Sequence, residues 1–214
     1  SGRELHTFSG HTDRVLNVSV TPDGRRAVSA SEDHTLKVWD LDSGRELHTL
    51  SGHAAAISSV AVTPDGRQAV SASRDGALKL WDLDSGCELH TLSGHTDWVW
   101  SVAVTPEGRR AVSASGDKTL KVWDLNSGYE LYTLRGHTLR VWDVALTLDG
   151  RLAISASEDG MLKVWDLETA RVRAGIALGG PSRISVIKGG VTIVTADGAG
   201  NVYCLFYCDP HQSA

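Results

Sequence analysis

The stretch VTPDGRRAVSASEDHTLKVWDLDSGRELHTL, Val20 to Leu50, decides the fold, because close copies of it return along the chain. Trp-Asp recurs at Trp39, Trp81, Trp123 and Trp165, and Gly-His at His11, His53, His95 and His137, both at a spacing of 42 residues. Inside each unit the hydrophobic period is two. VLNVSV, RAVSAS, TLKVWDL and RELHTL alternate or run as short β-branched stretches, which is strand patterning. The breaks are turn chemistry. TPDG (Thr21 to Gly24, Thr63 to Gly66) has Pro second and Gly fourth, which suits a type I turn followed by a left-handed residue in a three-residue hairpin. DSG (Asp42 to Gly44, Asp84 to Gly86) supplies another turn. Each unit therefore reads as four short antiparallel strands.

Four-stranded units of this length in series are the blades of a β-propeller. From Arg171 the pattern decays. A fifth unit remains legible as SRISVIK, GVTIVTAD and NVYCLFY, ending at Tyr207 without a fourth strand. RELHTF, Arg3 to Phe8, is a fourth strand without its first three. The expectation is an all-β propeller of five four-stranded antiparallel blades, with N-terminal strand 3–8 completing the C-terminal blade. The blades run over about 9–50, 51–92, 93–134, 135–178, and 179–208 plus 3–8. Residues 1–208 form one domain and 209–214 a tail. Closure would hide the strand edges of an open ring, which invite aggregation. A larger ring, or one completed by a second copy, is the alternative. The balanced strand count favours closure at five and a monomer, with self-association if the ring is incomplete.

GH, then SxSxD, then WD in units of about 40 residues resembles the WD-repeat β-propellers. Four units carry the motif in full. In the fifth, Thr195 stands at the Ser position, Ala199 at the Asp position and Leu205 at the Trp position, with no Gly-His before it. The resemblance implies that four sets of residues form structural tetrads: His11, Ser29, Asp33 and Trp39; His53, Ser71, Asp75 and Trp81; His95, Ser113, Asp117 and Trp123; His137, Ser155, Asp159 and Trp165. In each, Asp would hold His, His would meet Ser, and Ser would meet the indole N–H. Ser, His and Asp also make a hydrolase triad. An active site, however, appears once at a cleft and not once per blade, so no catalytic residue is expected.

The remaining composition narrows the function. The net charge of −5 argues against a nucleic-acid-binding face. No apolar run approaches the roughly 18 residues that cross a bilayer, and no signal peptide is visible. With Ser1 in place of an initiator Met, the sequence reads as a processed or excised form. The three cysteines, Cys87, Cys204 and Cys208, are too few for a disulfide framework and read as small apolar residues in a reducing, cytoplasmic setting. Cys204 and Cys208 would lie about 13 Å apart along one strand face, which suits no metal. His6, His48 and His90 recur on outer strands that do not converge. No metal and no cofactor is expected.

Three of the seven tryptophans lie outside the tetrads: Trp98, Trp100 and Trp142. The frame GHTDWVWS (Gly94 to Ser101) reads GHTDRVLN from Gly10, GHAAAISS from Gly52 and GHTLRVWD from Gly136. Its middle residue is always β-branched (Val15, Ile57, Val99, Val141), while the neighbours change freely. Alternation sends the middle residue between blades and its neighbours the other way. The resemblance implies that this point lies on the propeller's top face, a partner-binding surface. That face is expected to carry Arg14, Leu16, Glu32, Arg74, Trp98, Trp100, Arg140, Trp142, Glu158 and Arg183, rich in the Trp and Arg that dominate binding energetics. The other account is that Trp98 and Trp100 fold over each other or cap the channel. Asn17, Ser59, Ser101 and Asp143, one step along, read as a solvated channel wall.

The function expected is a non-catalytic scaffold or sensor that binds a protein or peptide. Units this similar resemble the C-terminal repeat arrays of bacterial multidomain signalling NTPases, which implies the recognition part of a larger signalling protein. A glycan-binding propeller is the alternative, although its aromatics should recur in every blade. A glycosidase would need convergent carboxylates about 5–10 Å apart, and Asp143 is the one acid in the channel row.

Overall fold

The computed structural model describes residues 2–178, 181–187, 191–197 and 201–207. They contain nineteen strands and no helix. The first sheet is β1 (Val15–Val20), β2 (Arg26–Ser31), β3 (Thr35–Asp40) and β4 (Glu46–Ser51). The second is β5 (Ile57–Val62), β6 (Gln68–Ser73), β7 (Ala77–Asp82) and β8 (Glu88–Ser93). The third is β9 (Val99–Val104), β10 (Arg110–Ser115), β11 (Thr119–Asp124) and β12 (Glu130–Arg135). The fourth is β13 (Val141–Leu146), β14 (Leu152–Ser157), β15 (Met161–Asp166) and β16 (Arg171–Ala177). The last has three strands, β17 (Pro181–Ile187), β18 (Val191–Asp197) and β19 (Val202–Tyr207). Pairing is antiparallel between chain neighbours throughout, and the inner strands β1, β5, β9, β13 and β17 stand side by side in that order.

Turn chemistry sets the register. In TPDG the Gly24 N–H bonds the Thr21 carbonyl at 2.8 Å, and Thr21 Oγ1 donates to Asp23 Oδ1 at 2.6 Å. Gly24 takes φ 71°, the left-handed conformation a side chain would strain. The β2–β3 turn needs the same conformation. It is held by Gly76 and Gly160 in the second and fourth sheets, but by His34 (φ 68°) and Lys118 (φ 71°) in the first and third.

The core lies between sheets rather than within them. Val28, Leu36, Val38 and Leu50 of the first sheet pack against Ile57, Val60, Ala69 and Trp81 of the second. Register-equivalent sets join the second sheet to the third and the third to the fourth. A smaller set, Ile154, Leu162, Val164 and Ile193, joins the fourth to the last. Each sheet thus buries both faces only if it has a neighbour on each side.

Among the described residues no sheet packs on the outer face of the first sheet as the first packs on the second. Val18 is 56% exposed, while its register equivalents Val60, Val102 and Val144 are 5%, 6% and 5% exposed. The expected closure by strand 3–8 is not seen. Residues 3–8 form no strand, and among the described residues the last sheet has three strands. The segment nevertheless lies where an outer strand would. Phe8 packs on Trp39 with ring centroids 5.4 Å apart, and His6 sits against Gly44, as His48 sits against Gly86. An outer strand needs a third strand for its ladder, so without one the segment keeps its side-chain packing and loses its strand geometry. Cys87 and Cys204 are exposed, not packed as small apolar residues, and Cys208 lies outside the described residues.

Candidate partner-binding site

Four buried polar chains run through the first four sheets. His11 Nδ1 lies 2.7 Å from Asp33 Oδ2, and its Nε2 lies 2.7 Å from Ser29 Oγ, which accepts the Trp39 indole N–H at 2.8 Å. The sets around His53, His95 and His137 repeat this at 2.7 to 2.9 Å. A neutral imidazole satisfies every member: Nδ1–H donates to Asp, Nε2 accepts from Ser, and Ser accepts from Trp. Burial lowers the proton affinity of His53 and His137 against the pull of Asp75 and Asp159. At Asp33 burial disfavours the charge, but hydrogen bonds from Thr35, His11 and the Thr12 N–H outweigh it and hold the carboxyl below the usual range. Asp75, Asp117 and Asp159 shift the same way. The serines are buried and both their hydrogen-bonding roles are taken. Such a hydroxyl is not presented to a substrate.

The variable residues gather at the rim where the β2–β3 type turns meet the residues before each inner strand. The Glu32 N–H bonds the Arg14 carbonyl, Arg74 that of Ala56, Gly116 that of Trp98, and Glu158 that of Arg140, at 2.8 to 2.9 Å. A β-bulge recurs just beyond. Val99 pairs Ser115 and Ser101 pairs Ala114, which leaves Trp100 as the extra residue. Leu16, Ser58 and Trp142 fall at the same extra position. A bulge re-aims its unpaired side chain, here towards the rim.

This brings four sheets into one cluster. Glu32 Oε1 pairs with Arg74 Nη2 at 3.2 Å. The Arg74 guanidinium stands over Trp98 and Trp100, 5.4 and 5.6 Å from their centroids. Trp98 meets Trp100 edge-on at 5.3 Å, and Trp100 meets Trp142 at 4.8 Å, tilted. The indoles do fold over one another, yet Trp98 remains 45% exposed. Arg14 and Arg140 are exposed at the rim and Leu16 is half-buried. Arg183, expected on the rim, instead stands on β17 opposite Ala196, the register position of Asn17, Ser59, Ser101 and Asp143, because the bulge before it takes up one residue; it belongs to the channel row, and its side chain falls outside the described residues.

The family model for the WD domain, G-beta repeat, matches residues 2–40, 44–82, 86–124 and 128–166, well over half of the chain. The chain belongs to the WD-repeat family. Each match begins at an outer-strand segment and ends at Trp-Asp, so a repeat is offset from a sheet: 44–82 contains β4 of the first sheet and β5 to β7 of the second. Residues 3–8 are thus the opening of the first repeat. Single-repeat matches link the chain to longer proteins. Autophagy-related protein 16 of Arabidopsis thaliana is 52% identical over 42 residues, 19% of this chain and 8% of the relative. Transcriptional repressor tup12 of Schizosaccharomyces pombe is 49% identical over 37 residues, 17% of this chain and 6% of the relative. The ribosome biogenesis protein BOP1 homolog of Drosophila melanogaster is 47% identical over 38 residues, 18% of this chain and 5% of the relative. The matched segments are therefore a small part of these relatives' own lengths.

Within the WD-repeat array the channel row differs from a plain solvated wall. Asn17, Ser59, Ser101 and Asp143 border an open cavity of about 480 Å³ on the inner strands. Yet Ser59, Ser101 and Asp143 are buried and stitch one sheet to the next. Asn17 Oδ1 accepts the Val60 N–H at 3.2 Å, Ser59 Oγ the Val102 N–H at 3.4 Å, and Ser101 donates to Asp143 Oδ1 at 2.6 Å. The outer-strand histidines also have partners. His48 and His90 pack on the left-handed Gly86 and Gly128 of the next turn and reach the carbonyls of Asp84 and Asn126 at 3.2 Å. Tyr132 takes that position in the third sheet and donates to the Leu167 carbonyl. Among the described residues no cluster of three His, Cys, Asp or Glu side chains is arranged to hold a metal. Ala199 lies outside the described residues. Thr195 is buried at the position of the tetrad serine, and Leu205 packs against the last core cluster at the position of the tryptophan.

Proposed function

We propose that this WD-repeat array is a non-catalytic interaction scaffold that recognises a protein or peptide through the rim around Trp98, Trp100, Trp142 and Arg74. Arg14, Leu16 and Arg140 form the periphery. The observation that carries the reading is the continuous cluster from Glu32 through Arg74 to the three indoles. It spans four sheets and is built from the positions at which the repeats differ. Positions that pack sheets together keep their type, because every interface must be filled the same way. Positions at the rim carry no such demand, and here they hold large, rigid side chains suited to an interface core. The family as a whole favours binding over catalysis.

The same proposal extends to setting: the array is the recognition part of a larger, cytoplasmic signalling protein. The curated relatives, of which the matched repeat fills 5–8%, support only the larger setting. The test is affinity capture from the source cell with the wild type beside a Trp98→Ala, Trp100→Ala, Trp142→Ala variant of matching circular dichroism. Partners lost only from the variant are expected. An identical partner set on both baits would refute the assignment of this face.

A further inference from the structure

Three buried polar side-chain atoms have no hydrogen-bond partner among the described residues: Ser58 Oγ, Arg74 Nε and Trp100 Nε1. All three belong to the rim cluster. Ser58 and Trp100 are the extra residues of equivalent bulges on neighbouring inner strands. The Arg74 N–H bonds the carbonyl of Ala56, two residues before Ser58, and its guanidinium stands 5.6 Å from the Trp100 centroid. A buried polar group without a partner is destabilising, and native folds tolerate few. Three in one place, on the face already read as the binding face, mark a site whose partners come from outside.

Their chemistry states what those partners are. Arginine Nε–H and indole N–H donate only, and the serine hydroxyl can donate as well. The ligand must therefore bring acceptors. Glu32 engages Arg74 at Nη2, which leaves the Nε–H of a cation unused. A carboxylate has two oxygens, one for the arginine Nε–H and one for an adjacent donor, and a charge-assisted bond shielded from water is stronger than a neutral one. Trp98 and Trp142 flank the donors with apolar surface suited to a side-chain stem. Trp98 packs against both Arg74 and Trp100 and is the most exposed indole of the three, so a rotation of that side chain would open these two donors to an incoming group.

We propose that Arg74 Nε, Trp100 Nε1 and Ser58 Oγ receive the carboxylate of an aspartate or glutamate side chain of a peptide partner, with the indoles clasping its stem. This rests on the reading of the rim as a peptide-binding face.

The test is selection of a random dodecapeptide display library on the folded wild-type protein. The most enriched peptide is then synthesised with its acid intact and with the acid replaced by the isosteric amide. Enriched peptides are expected to share an Asp or Glu. The amide peptide should bind the wild type about tenfold more weakly, the scale of one charge-assisted bond. Trp100→Phe keeps a ring but removes the donor, and Arg74→Lys keeps the charge but removes the fork. Each should weaken the acidic peptide several-fold. Enriched peptides that lack an acid, or an amide peptide that binds as well as the acid, yet lose binding to Trp98→Ala, would overturn the carboxylate assignment and leave the binding face standing. No enrichment, or equal binding to the triple tryptophan variant, would overturn both.

Discussion

Replacing Ser113 by Ala tests the central physical claim about the buried polar chains. Ser113 is fully buried, and its Oγ lies 2.7 Å from His95 Nε2 and 2.8 Å from Trp123 Nε1. Removing one oxygen leaves two groups unpaired, an indole donor and an imidazole lone pair. At about 1–3 kcal/mol for each orphaned group, the expected loss is roughly 2–6 kcal/mol. That is a large share of the ~5–15 kcal/mol that holds an ordinary domain together. Trp123→Phe removes the indole donor instead and leaves the serine a partner in His95. The double variant Ser113→Ala, Trp123→Phe should therefore cost less than the sum of the singles by about 1–2 kcal/mol, since the orphaned indole no longer exists. Urea unfolding followed by far-ultraviolet circular dichroism measures all four proteins. A Ser113→Ala cost under about 1 kcal/mol, or strict additivity in the cycle, would refute the claim that serine's worth lies in satisfying both neighbours.

Three further outcomes are expected. His34→Gly and Lys118→Gly should each stabilise the fold by about 0.5–1 kcal/mol, because a left-handed side-chain residue costs ~1–2 kcal/mol and glycine returns part of that gain as unfolded-state entropy. The reverse change, Gly76→Lys, should destabilise in the same melts. Val18→Thr on the open face of the first sheet should cost under about 0.5 kcal/mol, whereas Val60→Thr and Val102→Thr bury a hydroxyl and should cost roughly 1–2 kcal/mol. Equal costs at all three sites would show that the first sheet is covered in solution. Stability should also fall with acid in two stages. Burial depresses the proton affinity of His53 and His137, so the unfolded chain binds more protons as pH drops below the ordinary histidine value of 6.5, and stability declines from there. The depressed carboxyls of Asp75 and Asp159 contribute stability that is complete above the ordinary value of 3.8 and is lost as pH falls through their lower folded values. Melting temperatures read from pH 8 to pH 3 should decrease without a maximum inside that range.

The repeat, the period of two and the turn dipeptides determined the strands and their order from sequence alone, because each is a local property. A left-handed Gly24, an alternating RAVSAS and a Trp at every forty-second position need no distant information. The four polar chains were legible through the resemblance, which implies that these His, Ser, Asp and Trp positions meet, and the equal spacing carried that implication to all four units. Closure was not legible. Counting strands balances 3–8 against the last sheet, but whether two ends of a ring meet depends on the angle between successive sheets, which the packed core sets and no single repeat encodes. The rim was half legible. Its residues stood out as the variable ones, and alternation placed Trp98 and Trp100 on one side of the strand. The bulge at Leu16, Ser58, Trp100 and Trp142 carried no sequence signal, since it is filled by four different environments and three residue types. Only the tertiary structure brought Arg74 of one sheet over the indoles of the next and left three donors there unpaired, because that arrangement depends on how neighbouring sheets approach across a shared core.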